Sequence, residues 1–189
     1  PWPGLAELLL FHPGELQPAN AGCSWPRVSV QKGLEWSYLA DQWPQPRLYA
    51  SVRGGTTNAP HTHQDLLSLI VIVEGEALVP NIDVDDYVDT TFNKRRFELY
   101  ETCAASKNTL FVNGVGLPHP ATVKTTQAQG TDWEGVVLDA TAAMDVGSPV
   151  KSCKRAVLML NKAAILVIDH VALQHVALAE ARFHTHASV

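Results

Sequence analysis

The chain has 189 residues, which suits one sizeable domain and is too short for two ordinary ones. Its 46% apolar content lies within the range of globular proteins and argues against disorder, although the 17% of charged residues is lower than average. The formal net charge of −5 gives no reason to expect a nucleic-acid partner, and no apolar run reaches the ~20 residues of a membrane-spanning helix.

Proline is concentrated in residues 1–46, where only residues 5–11 have a helix-like pattern, ended by Pro13 and Gly14. We therefore predict a Pro-rich segment that packs over the core of the domain that follows. Residues 28–39 have the composition of one or two strands, with Gly33 marking a turn. The main domain is predicted to occupy residues 47–189.

The pattern from residue 47 onward is that of an all-β protein. Strands are predicted over 47–52, 109–112, 123–127, 133–143 and 179–187, and residues 66–79 are predicted to be one long strand or a strand pair. Asn161-Lys162, which lies between two apolar runs, predicts a hairpin. Many strands with short turns and few short helices predict an antiparallel β-sandwich. The polar stretch 87–105 is predicted to be a long loop, and structured loops of that length are often functional.

The most informative segment reads Gly-Gly-Thr-Thr-Asn-Ala-Pro-His-Thr-His-Gln-Asp and covers residues 54–65. In extended backbone, side chains at alternate positions leave the same face, so His61, His63 and Asp65 are predicted to converge on one spot. Two imidazoles and a carboxylate indicate a metal or proton-transfer site, held rigidly on a strand. The alternative is that these polar residues cover the solvated face of a strand.

Two family resemblances include this segment. The first is to the cupins, which are small β-barrel metal proteins, because Gly55, His61 and His63 resemble the start of the first cupin motif. The positions of that motif's metal-binding Glu are Leu67 and Ser68 here, and a second cupin motif is absent. The resemblance to the cupins is therefore partial.

The second resemblance is longer and consists of an ordered series of motifs. In chain order these are Gly54-Gly55, His61-Thr62-His63-Gln64-Asp65, Ser68, Gly75-Glu76, Tyr87, Arg95-Arg96, residues 107–114 and residues 180–184. The series resembles the supersandwich-like β-sandwich of the heparinase II/III family, and it covers residues 47–189.

The resemblance implies a polysaccharide lyase, which cleaves a uronic-acid-containing glycan by β-elimination. This chemistry needs a base for the C5 proton, an acid for the leaving oxygen and a group that stabilises the carboxylate. By the resemblance, His61 faces the substrate and Tyr87 is a second catalytic candidate, while Arg95, Arg96 and Asn108 are candidates for substrate binding. The alternatives are core packing for Tyr87 and a solvated charged loop for the arginines.

The resemblance also implies a zinc site in which His63 is one ligand. The family's other two ligands, an Asp after the Gly-Glu turn and a His before Asn-Thr, correspond by spacing to Asn81 and Lys107. An amide is a poor zinc ligand, and a protonated ammonium cannot bind a metal. Zinc would then need Asp83, two residues beyond Asn81. The alternative is that the Lys107 ammonium, near Asp83 or Asp65, occupies the place that the metal fills elsewhere.

Members of the family place a helical toroid ahead of the sandwich, with the substrate cleft between the two. The resemblance thus implies that an acidic polysaccharide is bound together with a toroid domain or a second chain, and that the sandwich alone has little activity. It also implies a periplasmic or secreted protein, although the sequence itself leaves the compartment open. The alternative function is a non-catalytic module with a degenerate site, which binds glycan or contributes to an assembly.

Overall fold

The structure is a computed structural model that describes residues 25–82, 84, 86–144 and 149–186. The helix-like pattern at residues 5–11 lies outside these residues, as does most of the predicted Pro-rich segment. No helix in the described part of the chain is long and apolar enough to cross a membrane. The strands are β1 (Val28–Val30), β2 (Trp36–Ala40), β3 (Leu48–Arg53), β4 (Gly55–Thr56), β5 (Leu69–Val73), β6 (Glu76–Val79), β7 (Leu110–Val112), β8 (Thr122–Gln129), β9 (Trp133–Asp139), β10 (Val150–Leu160), β11 (Ala164–Leu173) and β12 (Ala179–Ala181).

Two five-stranded antiparallel sheets form the body of the domain. The first sheet has the order β1-β2-β3-β5-β6 and the second has the order β11-β10-β9-β8-β4, while β12 pairs with β7 in a small third sheet. Buried side chains of both large sheets share one core, with Leu39, Val52 and Val71 from the first sheet and Leu138 and Val157 from the second. The prediction of an antiparallel β-sandwich with few short helices is confirmed.

The cupin-like alternative is wrong for this chain, because a cupin fold requires strands that close into a barrel. In the residues that the structure describes, each large sheet instead ends in two edge strands. These are β1 and β6 in the first sheet, and β11 and β4 in the second.

Positive φ angles at the hairpin tips explain where several strands end. Glu74 and Gly75 have φ of 50° and 86°, so residues 66–79 contain the predicted strand pair, β5 and β6, and not one long strand. Asn161 and Lys162 have φ of 50° and 59° and connect β10 to β11 at the predicted hairpin. Two-residue turns with positive φ match the twist of antiparallel strands.

Two predicted strands are shorter than their apolar patterns. Strand β9 ends at Asp139, whose carboxylate accepts the Thr141 backbone N–H at 3.0 Å, and the chain then forms the 3-10 helix Thr141–Ala143. Strand β12 contains only three of the nine residues predicted for it. The polar loop 87–105 holds two further 3-10 helices, Arg96–Glu98 and Ala104–Ser106.

Arg155 is a fully buried charged residue that connects the second sheet to the loops at one end of the sandwich. Its side chain is 0% exposed, and its guanidinium pairs with Asp169 of β11 at 2.7 and 2.9 Å. The same group donates to the backbone carbonyls of Leu67 and Asn108, both at 2.7 Å. Four of the five guanidinium N–H groups thus have a partner. A buried charge bonded in this way fixes the relative positions of its partners, so Arg155 holds the backbone around the His-x-His-x-Asp segment.

Candidate functional site

The His-x-His-x-Asp segment lies in irregular backbone between β4 and β5. Strand β5 begins only at Leu69, and His61 has a left-handed φ of 61°. The prediction that alternate side chains converge on one strand face is therefore wrong. His61 is exposed, whereas His63 and Asp65 are partly buried, so the three side chains have different exposure to solvent.

Two glycines ahead of the segment allow the backbone to pass close to neighbouring strands. A Cβ on Gly54 would lie 2.1 Å from Thr125 Oγ1, and Gly55 has a φ of 70°. Only glycine tolerates both conditions at little cost. The tight passage places Arg53 so that its guanidinium donates to the Leu34 carbonyl at 2.6 Å and the Thr56 carbonyl at 2.9 Å.

A pocket of about 350 Å³ opens beside His61. One wall comes from the loop after β4 and the other from the loop 87–105. The polar and aromatic side chains that line the pocket are those of His61, Thr62, Phe92, Arg96, Phe97 and His119. Gln64 joins the two loops, because its backbone N–H donates to the Thr102 carbonyl at 3.0 Å and its side-chain carbonyl accepts the Ala104 N–H at 3.2 Å.

An aromatic cluster links the two predicted catalytic residues. The Tyr87 ring lies 5.1 Å from the Phe92 ring, and the Phe92 ring lies 5.5 Å from the His61 imidazole, measured between centroids. Tyr87 is 77% exposed, so the alternative of core packing does not hold for it. The structure brings His61 and Tyr87 to one surface through Phe92, a residue for which the sequence carries no site motif.

His119 is a pocket residue that sequence reasoning missed. Its Nε2 lies 2.9 Å from Thr62 Oγ1, and its ring lies 4.2 Å from the Phe97 ring. Thr62 is 57 positions away in the chain. No local spacing could therefore have pointed to this pair, and the only signal was a histidine in a Pro-rich turn.

The hydrogen bonds of Thr62 assign the tautomer of His119. The Thr62 hydroxyl has one proton, and it donates to the backbone carbonyls of Thr57 at 2.8 Å and Ala59 at 3.0 Å. The oxygen therefore accepts from His119, so Nε2 carries the hydrogen and Nδ1 keeps the lone pair. Burial lowers the pKa of His119, and the nearby Arg96 guanidinium lowers it further. The ring is consequently neutral near neutral pH.

Arg95 and Arg96 were predicted together but occupy different environments. The Arg95 side chain is 66% exposed, and its guanidinium forms three hydrogen bonds with Glu98 at 2.8, 3.0 and 3.2 Å. Arg96 lines the pocket, with its guanidinium carbon 5.5 Å from the centre of the Phe97 ring. The Arg96 Nε is buried and has no hydrogen-bond partner among the described residues.

Asn108 connects structural elements beneath the site. Its side chain is 0% exposed and donates to the carbonyls of Leu69 at 2.8 Å and Pro80 at 2.7 Å, while its oxygen accepts the His184 backbone N–H at 2.7 Å. This burial contradicts the prediction that the Asn108 amide touches the substrate. Its three partners lie on β5, after β6 and after β12, so it has a positioning role.

Asp65 carries a buried oxygen, Oδ1, that has no hydrogen-bond partner among the described residues. Its other oxygen lies 3.9 Å from the Arg53 Nε. Burial raises the pKa of Asp65, and the positive charges of Arg53 and Lys107 oppose that rise. Asp65 is not among the residues that line the pocket, but its charge interacts with that of His119, which does line it.

Residues at two of the implied zinc positions contact each other. Lys107 is 1% exposed, and its ammonium donates to Asn81 Oδ1 at 3.4 Å and to the Ile82 carbonyl at 3.2 Å. An ammonium that donates hydrogen bonds has no lone pair for a metal, so Asn81 and Lys107 do not fit zinc. Asp83 lies outside the described residues, and its predicted role stays untested.

Comparisons with known proteins agree with this architecture. The model of one protein family, described as "Heparinase II/III-like, C-terminal", matches residues 46–189. A crystal structure of a mutant of heparan sulfate lyase HepC from Pedobacter heparinus aligns with a TM-score of 0.63 and 15% identity, over 77% of this chain and 22% of that chain.

A second crystal structure of heparan sulfate lyase HepC from Pedobacter heparinus aligns with a TM-score of 0.55 and 17% identity, over 73% of this chain and 21% of that chain. The chain thus spans about a fifth of the length of these two proteins. At such identities the likeness shows the fold alone. A search of curated proteins found no match.

Proposed function

The chain belongs to the heparinase II/III-like C-terminal family, and we propose that it is the β-sandwich part of a polysaccharide lyase that cleaves uronic-acid-containing glycans by β-elimination. The observation that carries the proposal is the pocket in which the exposed His61 imidazole and the Arg96 guanidinium lie together. Elimination from an acidic sugar requires a group that transfers the C5 proton and a cation that stabilises the carboxylate.

The reaction assigns roles to His61, Tyr87 and Arg96. A base removes the C5 proton, the electrons form a C4–C5 double bond, the C4–O bond breaks, and an acid protonates the leaving oxygen. His61 is the imidazole that hydrogen-bonds the uronate or exchanges a proton with it. Tyr87 flanks it across Phe92, and Arg96 offsets the negative charge that the carboxylate gains.

A helical toroid domain, in the same chain or in a second one, supplies the opposite side of the cleft in this proposal. Its support is that the pocket walls come only from surface loops, and that the chain spans about a fifth of the lyases it resembles in fold. The sandwich alone is expected to bind an acidic polysaccharide and to turn it over slowly or not at all.

The test is incubation with alginate, heparin and chondroitin, with and without the toroid domain. The C4–C5 double bond next to the carboxylate absorbs in the ultraviolet, so product formation is followed directly. With the toroid present we expect a rise that His61→Ala reduces by about 100-fold or more. His175→Ala, at an exposed histidine between β11 and β12, is the matched control. An equal effect of both variants contradicts the proposal.

The second candidate function is a non-catalytic glycan-binding or structural module. The replacement of two metal-ligand positions by Asn81 and Lys107 favours it. Binding of an acidic glycan without any ultraviolet rise, even when the toroid is present, identifies this function.

For the metal position, we propose that the Lys107 ammonium holds the loop after β6 by charge and hydrogen bonds. Its support is the pair of contacts to Asn81 and Ile82. Metal analysis of protein prepared without chelators is expected to find no stoichiometric zinc, and a chelator is expected to leave the thermal unfolding temperature unchanged. One zinc per chain, lost on His63→Ala, overturns this proposal.

A further inference from the structure

Among the residues that the structure describes, Arg96 differs from the other arginines in its charge partners. The sequence contains seven arginines, all in the described part. Six of them have a carboxylate oxygen within 3.9 Å, and these are Arg27, Arg47, Arg53, Arg95, Arg155 and Arg182. Arg96 makes no such pair with any residue that the structure describes. A guanidinium without an anion, beside a pocket, is poised to bind one from outside.

Hydrogen bonds hold the backbone of Arg96, and they define the position of its Cα, from which the side chain extends. The Arg96 N–H donates to the Asn93 carbonyl at 3.1 Å, and the Arg96 carbonyl accepts the Thr102 hydroxyl. The Phe97 ring lies under the guanidinium at 5.5 Å and also stacks against His119. A planar cation on an aromatic face keeps its outer edge open for a bidentate acceptor.

His119 adds a hydrogen-bond acceptor to the same pocket. Its Nε2–H donates to the Thr62 hydroxyl, so Nδ1 is the ring atom with a lone pair that can accept a hydrogen bond from a sugar hydroxyl. The Arg96 cation disfavours a second positive charge on the neighbouring imidazole. The wall thus combines a fixed cation, an acceptor and an aromatic surface.

We infer that Arg96 and His119 form an acid-group subsite, in which Arg96 binds a carboxylate or sulfate of the glycan and His119 accepts a hydroxyl of the same sugar. The subsite rests on the proposed function for its ligand class, and it adds recognition of the bound sugar to the role of Arg96 in the elimination. The subsite gives different roles to two adjacent arginines, which cannot be told apart in the sequence. Arg95 is committed to Glu98, and Arg96 is the residue that recognises substrate.

The test is calorimetric titration of the 189-residue chain with four tetrasaccharides. Hyaluronan carries carboxylates only, keratan sulfate carries sulfates only, heparin carries both, and carboxyl-reduced hyaluronan is uncharged. A charge-assisted bidentate pair contributes enough that Arg96→Gln should weaken binding of the recognised anion by about 10- to 100-fold. Arg95→Gln should change it by less than about twofold because that side chain is exposed and already paired.

The four ligands identify the anion. An effect of Arg96→Gln on hyaluronan and heparin but not on keratan sulfate assigns a carboxylate. An effect on keratan sulfate and heparin but not on hyaluronan assigns a sulfate. Binding of the uncharged tetrasaccharide should be the same in wild type and Arg96→Gln. His119→Gln should weaken the recognised ligand too, and it should weaken the uncharged one by a similar factor, because the hydroxyl is present in both.

One further variant and a stability measurement test whether a loss of binding comes from misfolding. Arg96→Lys keeps the positive charge but loses the two parallel N–H donors of the guanidinium, so its affinity should lie between those of wild type and Arg96→Gln. Thermal unfolding of each variant checks that the sandwich is intact. Equal losses in Arg95→Gln and Arg96→Gln, or no binding of any acidic tetrasaccharide by the wild type, overturn the subsite. Selective loss in Arg96→Gln without ultraviolet product under any condition leaves the subsite intact and contradicts only the lyase function.

Discussion

Asp139, at the end of β9, is held by groups on both sides of its carboxylate. Hydrogen bonds from Thr141 and from Lys154 lower the pKa of Asp139 to about 2. The Lys154 ammonium lies 2.9 Å from the carboxylate. A carboxyl whose folded pKa lies below its unfolded value of about 3.9 stabilises the fold above that value, and the contribution is lost as the pH falls.

We therefore expect Asp139→Asn to lower the midpoint of urea unfolding at pH 5 and above. The difference from wild type should shrink between about pH 4 and pH 2, because wild-type Asp139 becomes protonated in that window. Asp132→Asn, at an exposed residue just before β9, is the control and should show a small difference. A difference for Asp139→Asn that is constant from pH 6 to pH 2 contradicts this account.

Residue roles were the least predictable feature of the candidate site. The sequence correctly places Arg95 and Arg96 on one loop, but nothing in two adjacent arginines tells which one has a carboxylate partner. His119 and Phe92 join the pocket only through contacts between distant segments. Asn108 carries the motif of the family yet is buried, because its amide connects three elements.

Among the structural elements, the β10–β11 hairpin has a turn whose second residue is strained. Lys162 has a φ of 59°, a region that costs an L-residue about 1 kcal/mol and a glycine almost nothing. Lys162→Gly creates an Asn-Gly turn, which suits such hairpins. We expect the free energy of unfolding to rise by about 0.5 kcal/mol, measured by urea unfolding, after the extra entropy of glycine in the unfolded chain is subtracted.

Lys162→Ala separates the backbone effect from the loss of charge. It removes the ammonium but keeps the Cβ, so its stability should stay at or below that of the wild type. If alanine stabilises the protein as much as glycine does, the gain comes from charge, and the argument from φ fails.

Elements were predictable where turn chemistry and alternation agreed. Gly33, Gly75 and the Asn161-Lys162 pair have positive φ, as their positions between apolar runs indicated. The error in the His-x-His-x-Asp segment has a physical cause. Alternation assumes extended backbone, but His61 and Leu67 both have left-handed φ and their neighbours bond to other loops.

At the scale of the whole molecule, Arg155 holds the second sheet and the site loops together. Arg155→Met would leave Asp169 without its cation and the Leu67 carbonyl without its donor, while the Asn108 carbonyl would keep the Leu69 backbone N–H. Removing one partner of a buried pair costs about 3–5 kcal/mol. We expect urea unfolding to show a loss of that order, together with weaker binding of acidic glycan because the segment around Leu67 supports His61.

Lys154→Met provides the control, since it removes a cation from the adjacent position of the same strand. Its partner Asp139 is partly exposed, so the cost should be within about 1 kcal/mol. Comparable losses in the two variants would show that Arg155 stabilises β10 in general and not the junction between sheet and loops.

The two walls of the pocket come from separate stretches of chain. His61 follows β4, and Arg96 lies on the loop 87–105, with Gln64 joining the two stretches. The group proposed for proton transfer and the group proposed for recognition are therefore encoded apart. Substitutions at Arg96 are therefore expected to change which acidic sugar is preferred while the imidazole, which contacts this loop through Phe92, keeps its place.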